Sequence, residues 1–118
     1  MEANFYKINE SLENSFYQIP EELFRNPLYN EKLGLEAKVL YGFLLSRMRL
    51  SAQNNWIDDD GYIYLIYKRV DVQKKLNLSD KTVTKAFKQL KEVKLIQEII
   101  QGMNKPNIIY LAKIQHMD

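Results

Sequence analysis

Hydrophobic positions recur at helical spacing over three stretches of the chain, and the longest runs from residue 35 to about residue 50. Placed on a helix, its apolar side chains cover about 240° of the circumference. A helix that is apolar over so much of its surface must be covered on more than one side. Two explanations stay open: the helix is the centre of the core and is covered by residues 16–33, or it forms a dimer interface.

A pair of shorter helices joined by a tight turn is predicted further along the chain. Residues 69–77 form the first, with Val72 and Leu76 spaced four residues apart so that both face the core. A turn at Asn77 and Leu78 leads to Ser79, whose hydroxyl is a preferred N-cap for a helix from residue 80 to about residue 94. Two helices in this arrangement are typical of a helix-turn-helix.

Stretches rich in β-branched and aromatic residues predict three strands, at residues 62–67, 95–101 and 107–114. The last two are joined by a turn at residues 102–106 and form a hairpin. Near the N-terminus, Pro20 precedes a short helix at residues 21–25, and residues 1–15 form an arm without a regular pattern. The order of elements predicts an α+β fold, a winged helix-turn-helix domain over residues 16–118 with an N-terminal extension.

Composition removes most catalytic functions from consideration. The 118 residues contain no cysteine, which excludes disulfides, thiolate metal sites and thiol catalysis, and the single histidine, His116, lies two residues from the end. The carboxylates show no paired acid–base spacing, and there is no glycine-rich phosphate loop. We therefore expect no enzyme and no cofactor. With neither a signal peptide nor a long apolar run, we also expect a cytoplasmic protein without membrane contact.

Charge is distributed unevenly along the chain, although the net charge is only +2. Residues 68–94 hold nine basic and three acidic residues. Such a local excess suits a nucleic-acid-binding face, and the alternative is a solvated lysine-rich surface. On the helix from residue 80, the lysines lie opposite the apolar face formed by Val83, Phe87 and Leu90. This is the helix that a helix-turn-helix presents to the major groove, which favours double-stranded DNA as the partner.

The side chains on that face divide by what they can contact. Lysine donates to guanine, and threonine offers a hydroxyl and a methyl group, so the candidates for reading bases are Lys81, Thr84, Lys85 and Lys88. The candidates for contacts with the DNA backbone are Lys68, Arg69, Lys74, Lys75, Thr82, Gln89, Asn104 and Lys105, the last two at the tip of the hairpin, or wing, at residues 95–114. Glu92 would repel phosphate, which predicts that the C-terminal third of the helix tilts away from DNA.

Four motifs in the same order resemble a known family. Residues 16–20 (FYQIP), 35–41 (LEAKVLY), 55–58 (NWID) leading to Gly61, and Gly102 with residues 105–110 (KPNIIY) are similar to the N-terminal domains of RepA plasmid replication initiators from low-GC Gram-positive bacteria. The chain departs from the family pattern at Ser46, where aspartate is expected, and at residues 97–99 (QEI), where relatives tend to be basic.

The resemblance implies a winged-helix domain that binds directly repeated sites, or iterons, in the plasmid origin. It further implies binding as a homodimer, and a C-terminal region, beyond this N-terminal fragment, that recruits host replication proteins. Two other functions stay open. The first is a transcriptional regulator with a palindromic operator, and the second is a replisome-assembly module whose winged helix docks protein rather than DNA.

Overall fold

The computed structural model describes residues 2–11 and 14–116. The helices are α1 (Glu22–Arg25), α2 (Leu35–Gln53), α3 (Arg69–Leu76) and α4 (Asp80–Glu92). The strands are β1 (Leu65–Ile66), β2 (Ile96–Ile99) and β3 (Ile108–Leu111). Helix, strand, two helices and a hairpin therefore follow each other as the sequence predicts. Within the two described ranges, no helix combines the length and the apolar character needed to cross a membrane.

Helix α2 is the centre of the core. Its Leu40, Phe43 and Leu44 are buried, and the helix packs against α4, β1 and β3. The opposite side is covered by the segment that precedes α1, where Ile19 and the backbone of Gln18 lie against α2. Two explanations were open for the apolar side chains that cover most of the circumference of this helix. The structure supports the first, in which residues 16–33 cover it.

Gly42 is the point where that segment comes closest to α2. A Cβ atom at this position would lie 2.8 Å from Cγ1 of Ile19 and 2.9 Å from the carbonyl oxygen of Gln18. Alanine normally stabilises a helix by about 1 kcal/mol relative to glycine. Here we expect Gly42→Ala to lower the free energy of unfolding instead, by about 1–3 kcal/mol, because a backbone oxygen has to move. Urea denaturation measures the change.

The control for this prediction is Gln53→Ala, at the exposed end of the same helix. It should leave the unfolding free energy within about 0.5 kcal/mol of the original value. A Gly42→Ala variant more stable than the original protein would contradict the close contact between the two segments.

The small sheet has the order β1-β3-β2, and both pairings are antiparallel. Leu65 pairs with Ile109, and Ile96 pairs with Leu111, so that β3 lies in the middle. We call the hairpin of β2, β3 and their connecting loop (residues 96–111) the wing. Its strands are shorter than the predicted hairpin at residues 95–114, although the N–H of Ala112 still donates to the carbonyl of Leu95 at 2.7 Å just outside them. The hydroxyl of Tyr41 on α2 donates to the carbonyl of Ala112 at 2.8 Å, which ties the end of the wing to the core.

The strand predicted at residues 62–67 is shortened to β1. Its first part belongs instead to a separate turn, in which Ile57 and Ile63 form an isolated bridge. Oδ1 of Asp58 accepts hydrogen bonds from the backbone N–H groups of Asp60 at 3.0 Å and Tyr62 at 2.8 Å. The hydrogen bond from Tyr62 is the main cause that lowers the pKa of Asp58. This closed turn removes residues 62–64 from the sheet.

Candidate nucleic-acid interface

The turn between α3 and α4 is fixed by its own residues. Asn77 has a φ of 54°, a left-handed conformation that asparagine tolerates better than most residues. The hydroxyl of Ser79 accepts a hydrogen bond from the backbone N–H of Thr82 at 3.2 Å, which confirms Ser79 as the N-cap of α4. The start of α4 is therefore held in a defined direction relative to α3.

Helix α4 has one buried and one exposed face. Val83, Ala86, Phe87 and Leu90 are buried against the core. The four predicted base-reading residues, Lys81, Thr84, Lys85 and Lys88, are exposed together on the other side. The helix ends at Glu92, short of the predicted end, because Val93 leaves the helical conformation and Lys94 has a φ of 63°. The face is thus available to a partner, and its role in base reading stays a prediction.

The predicted backbone-contact residues other than Arg69 fall into two groups. Those that are exposed are Lys68, Lys74, Lys75, Asn104 and Lys105. Thr82 and Gln89 are half-buried and also hold the fold together. Thr82 takes part in the N-cap, and Oε1 of Gln89 accepts a hydrogen bond from the N–H of Gly34 at 2.8 Å, at the start of α2. Contact of either group with DNA stays a prediction.

Arg69 is held by the protein itself. Its Nη2 lies 2.8 Å from Oε1 of Glu98 on β2, and its guanidinium carbon lies 4.6 Å from the ring centroid of Phe87. A cation stacked on an aromatic ring and paired with a carboxylate is restricted in position. Arg69 was predicted to contact the DNA backbone. The structure places its guanidinium between Glu98 and the ring of Phe87, and its contact with DNA stays a prediction.

Glu98 is the residue of this region that sequence reasoning missed. Its side chain is only 4% exposed, although it is charged. The signal that could have found it is the strand alternation, because Glu98 is two residues from the buried Ile96 and therefore points to the same side of β2. Burial acts to raise the pKa of Glu98, but hydrogen bonds from Lys91 and Asn107 and the charge of Arg69 outweigh it, so that the pKa lies below its ordinary value. The carboxylate is therefore charged at neutral pH.

A cleft of about 410 Å³ lies between the wing and the start of α3. Lys68 and Arg69 line it from the start of α3, and Glu98 and residues 104–107 line it from the wing. The wing tip and the N-terminus of α3 are far apart in the chain but adjacent in the fold. Lys68 and Lys105 therefore line the same cleft.

Comparison with known proteins places this geometry in a family. A family model described as the N-terminus of replication initiator protein A (RepA) matches residues 15–118. The chain is also 28% identical to a "41 kDa protein" of Lactobacillus helveticus, in an alignment that covers 86% of this chain and 30% of that protein. The chain thus spans less than a third of that curated relative.

Solved structures share the fold over nearly the whole chain. One described as "Structure of Rep-DNA complex" is 33% identical with a TM-score of 0.81, covering 98% of this chain and 88% of that one. Another, "N-Terminal domain of DNA binding protein", is 32% identical with a TM-score of 0.79, covering 99% and 88%. A third, "Structure of MDR initiator", is 38% identical with a TM-score of 0.77, covering 97% and 89%. These similarities confirm the winged-helix fold that the sequence predicts.

Proposed function

The chain belongs to the family of replication initiator protein A (RepA) N-terminal domains, and from this premise we propose that it binds double-stranded DNA at a plasmid origin. Helix α4 lies in the major groove in this proposal, and the wing contacts the DNA backbone beside it. The similar solved structure of a Rep–DNA complex supports this partner. The proposal assigns the chain no catalytic step and no cofactor.

One observation carries the proposal: α4 exposes a continuous face with three lysines, while its opposite face is fixed in the core. The major groove admits one α-helix, and lysine and threonine side chains on the exposed face match the hydrogen-bonding groups of base edges. The N-cap and the buried face of α4 hold these lysines at fixed positions along one line.

The finer parts of the proposal concern the whole initiator. We propose that the sites are direct repeats, or iterons, and that two copies bind as a homodimer, so that the distance between the copies matches the repeat spacing. Recruitment of host replication proteins is assigned to a region beyond these residues, consistent with the small share of the curated relative that the chain spans. The site of action is the cytoplasm, where a plasmid origin resides.

A salt titration tests the proposed interface. Neutralising four to six phosphates should give a slope of log K against log [salt] of roughly −4 to −5, because each contact contributes about −0.9. Fluorescence anisotropy with an origin repeat and a scrambled duplex measures both slopes. Lys74→Gln should reduce the slope by about 0.9 on either duplex.

The matched control is Lys32→Gln, which removes the same charge beside the end of α4 that is predicted to tilt away from DNA. Its slope should equal that of the original protein. Absence of salt-dependent binding to any duplex would favour the protein-docking module instead. Preferential binding to an inverted repeat over tandem repeats would favour a transcriptional regulator.

A further inference from the structure

The carboxylate of Glu98 connects the wing to both helices of the helix-turn-helix. Oε1 lies 2.8 Å from Nη2 of Arg69 at the start of α3 and 2.5 Å from Nζ of Lys91 in the last turn of α4. Oε2 accepts a hydrogen bond from Nδ2 of Asn107, which directly precedes β3, at 3.2 Å. A single buried acid therefore contacts three different parts of the fold. We call these four residues the Glu98 cluster.

The cluster lies at the base of the exposed part of the wing. Glu98 pairs with Ile109 in the sheet, and the last strand pair before the loop is Ile99 with Ile108. Beyond this pair, the residues of the wing loop up to Lys105 are exposed. The loop thus leaves the sheet next to the Glu98 cluster.

A buried ion pair contributes little net stability, because desolvation offsets much of the attraction, and it can instead restrict how two elements are arranged. Glu98 has hydrogen-bonding partners on both oxygens, so that a change in the wing angle would separate a buried charge from at least one of them. The arrangement therefore favours one wing angle over its neighbours.

We propose that Glu98 is a positioning residue for the DNA interface, because the Glu98 cluster fixes the angle between the wing and α4. At this angle Lys105 and Lys68 line one cleft and reach the same stretch of DNA backbone. The proposal rests on the proposed DNA-binding function. It concerns how the wing is held and not a contact of Glu98 itself with DNA.

Electrostatics alone and the positioning proposal predict opposite effects on DNA binding when the charge of Glu98 is removed. Glu98→Gln preserves the shape of the side chain and makes the protein more positive by one charge, which by itself would strengthen binding to DNA. Positioning predicts weaker binding, since the wing loses its fixed angle. The matched control is Glu92→Gln, which makes the same charge change at an exposed position on α4 and should not weaken binding to DNA.

The first experiment measures the wing angle without DNA. Because the chain has no cysteine, spin labels can be placed at Met103→Cys in the exposed wing loop and at Gln53→Cys at the end of α2. Pulsed electron spin resonance should give one narrow distance distribution in the original background and a broader or shifted one with Glu98→Gln. Lys91→Met removes the ion pair between Lys91 and Glu98 at a residue whose side chain is 43% exposed. It should broaden the distance distribution too.

The second experiment asks whether Glu98 acts through the wing. Lys105→Ala should weaken binding to an origin repeat several-fold in the original protein, and less than twofold in the Glu98→Gln background. The same Lys105→Ala effect in both backgrounds would overturn the proposal. Unchanged distance distributions would also overturn it, and Lys91→Met alone decides this point if Glu98→Gln does not fold. If the original protein binds no DNA, the proposed function fails, whereas the distances still decide whether Glu98 fixes the wing.

Discussion

Replacing Lys85 with alanine is expected to weaken binding to the origin repeat by about 1–3 kcal/mol, roughly 5- to 150-fold in affinity. Lys85 lies near the middle of the exposed face of α4, between Lys81 and Lys88. Its ammonium group can donate to the O6 and N7 atoms of guanine, and the alanine side chain leaves those acceptors without a partner. Fluorescence anisotropy with the repeat and with duplexes substituted at single base pairs measures both the loss and the change in base preference.

The control for Lys85→Ala removes the same charge from a residue that is expected to contact only phosphate. Lys74→Ala, in the last turn of α3, should weaken binding equally on the repeat and on the scrambled duplex. Lys81→Ala should behave like Lys85→Ala. If Lys85→Ala bound the repeat as tightly as the original protein, the assignment of the reading face on α4 would be wrong.

The features of the site that the sequence predicts are those that form between residues close together in the chain. The two faces of α4 follow from helical spacing, and Ser79 caps the helix through a residue three positions away. Local rules of this kind need no knowledge of the remaining fold. The same reason explains why the order of elements could be predicted throughout the domain.

The contacts that the sequence does not predict join residues far apart in the chain. Gly42 reads as a small residue in a polar stripe, and only the folded chain reveals that the backbone of Gln18 passes over it. Glu98 reads as an acidic departure in a strand expected to be basic. Its pairing with Arg69 is set by how the wing folds back on α3, 29 residues away. Local sequence patterns cannot predict a contact between residues so far apart in the chain, so the ion pair between Glu98 and Arg69 was missed.

The stability of the domain should fall most when a side chain on the buried face of α4 is removed. Phe87→Ala is expected to lower the free energy of unfolding by about 3–5 kcal/mol, because it removes a large buried side chain and leaves a cavity. Phe87 is fully buried, and its ring also contacts the guanidinium of Arg69. A domain typically has only about 5–15 kcal/mol of total stability, so this loss is a large part of it. Urea denaturation followed by circular dichroism measures the change.

Phe5→Ala is the control, since it removes the same atoms from a side chain that is 80% exposed, and it should leave stability within about 0.5 kcal/mol. Lys85→Ala should do the same, although it weakens DNA binding. Conversely, Phe87→Ala measured well below its thermal unfolding midpoint should keep the preference for the repeat over the scrambled duplex, because the base-reading side chains are intact.

Loss of binding without loss of stability in one variant, and the reverse in the other, is expected only if one face of α4 packs and the other recognises DNA. A Lys85→Ala variant that lost stability as Phe87→Ala does would show that its lysine supports the fold, and the outer face of α4 would no longer be a surface reserved for a partner.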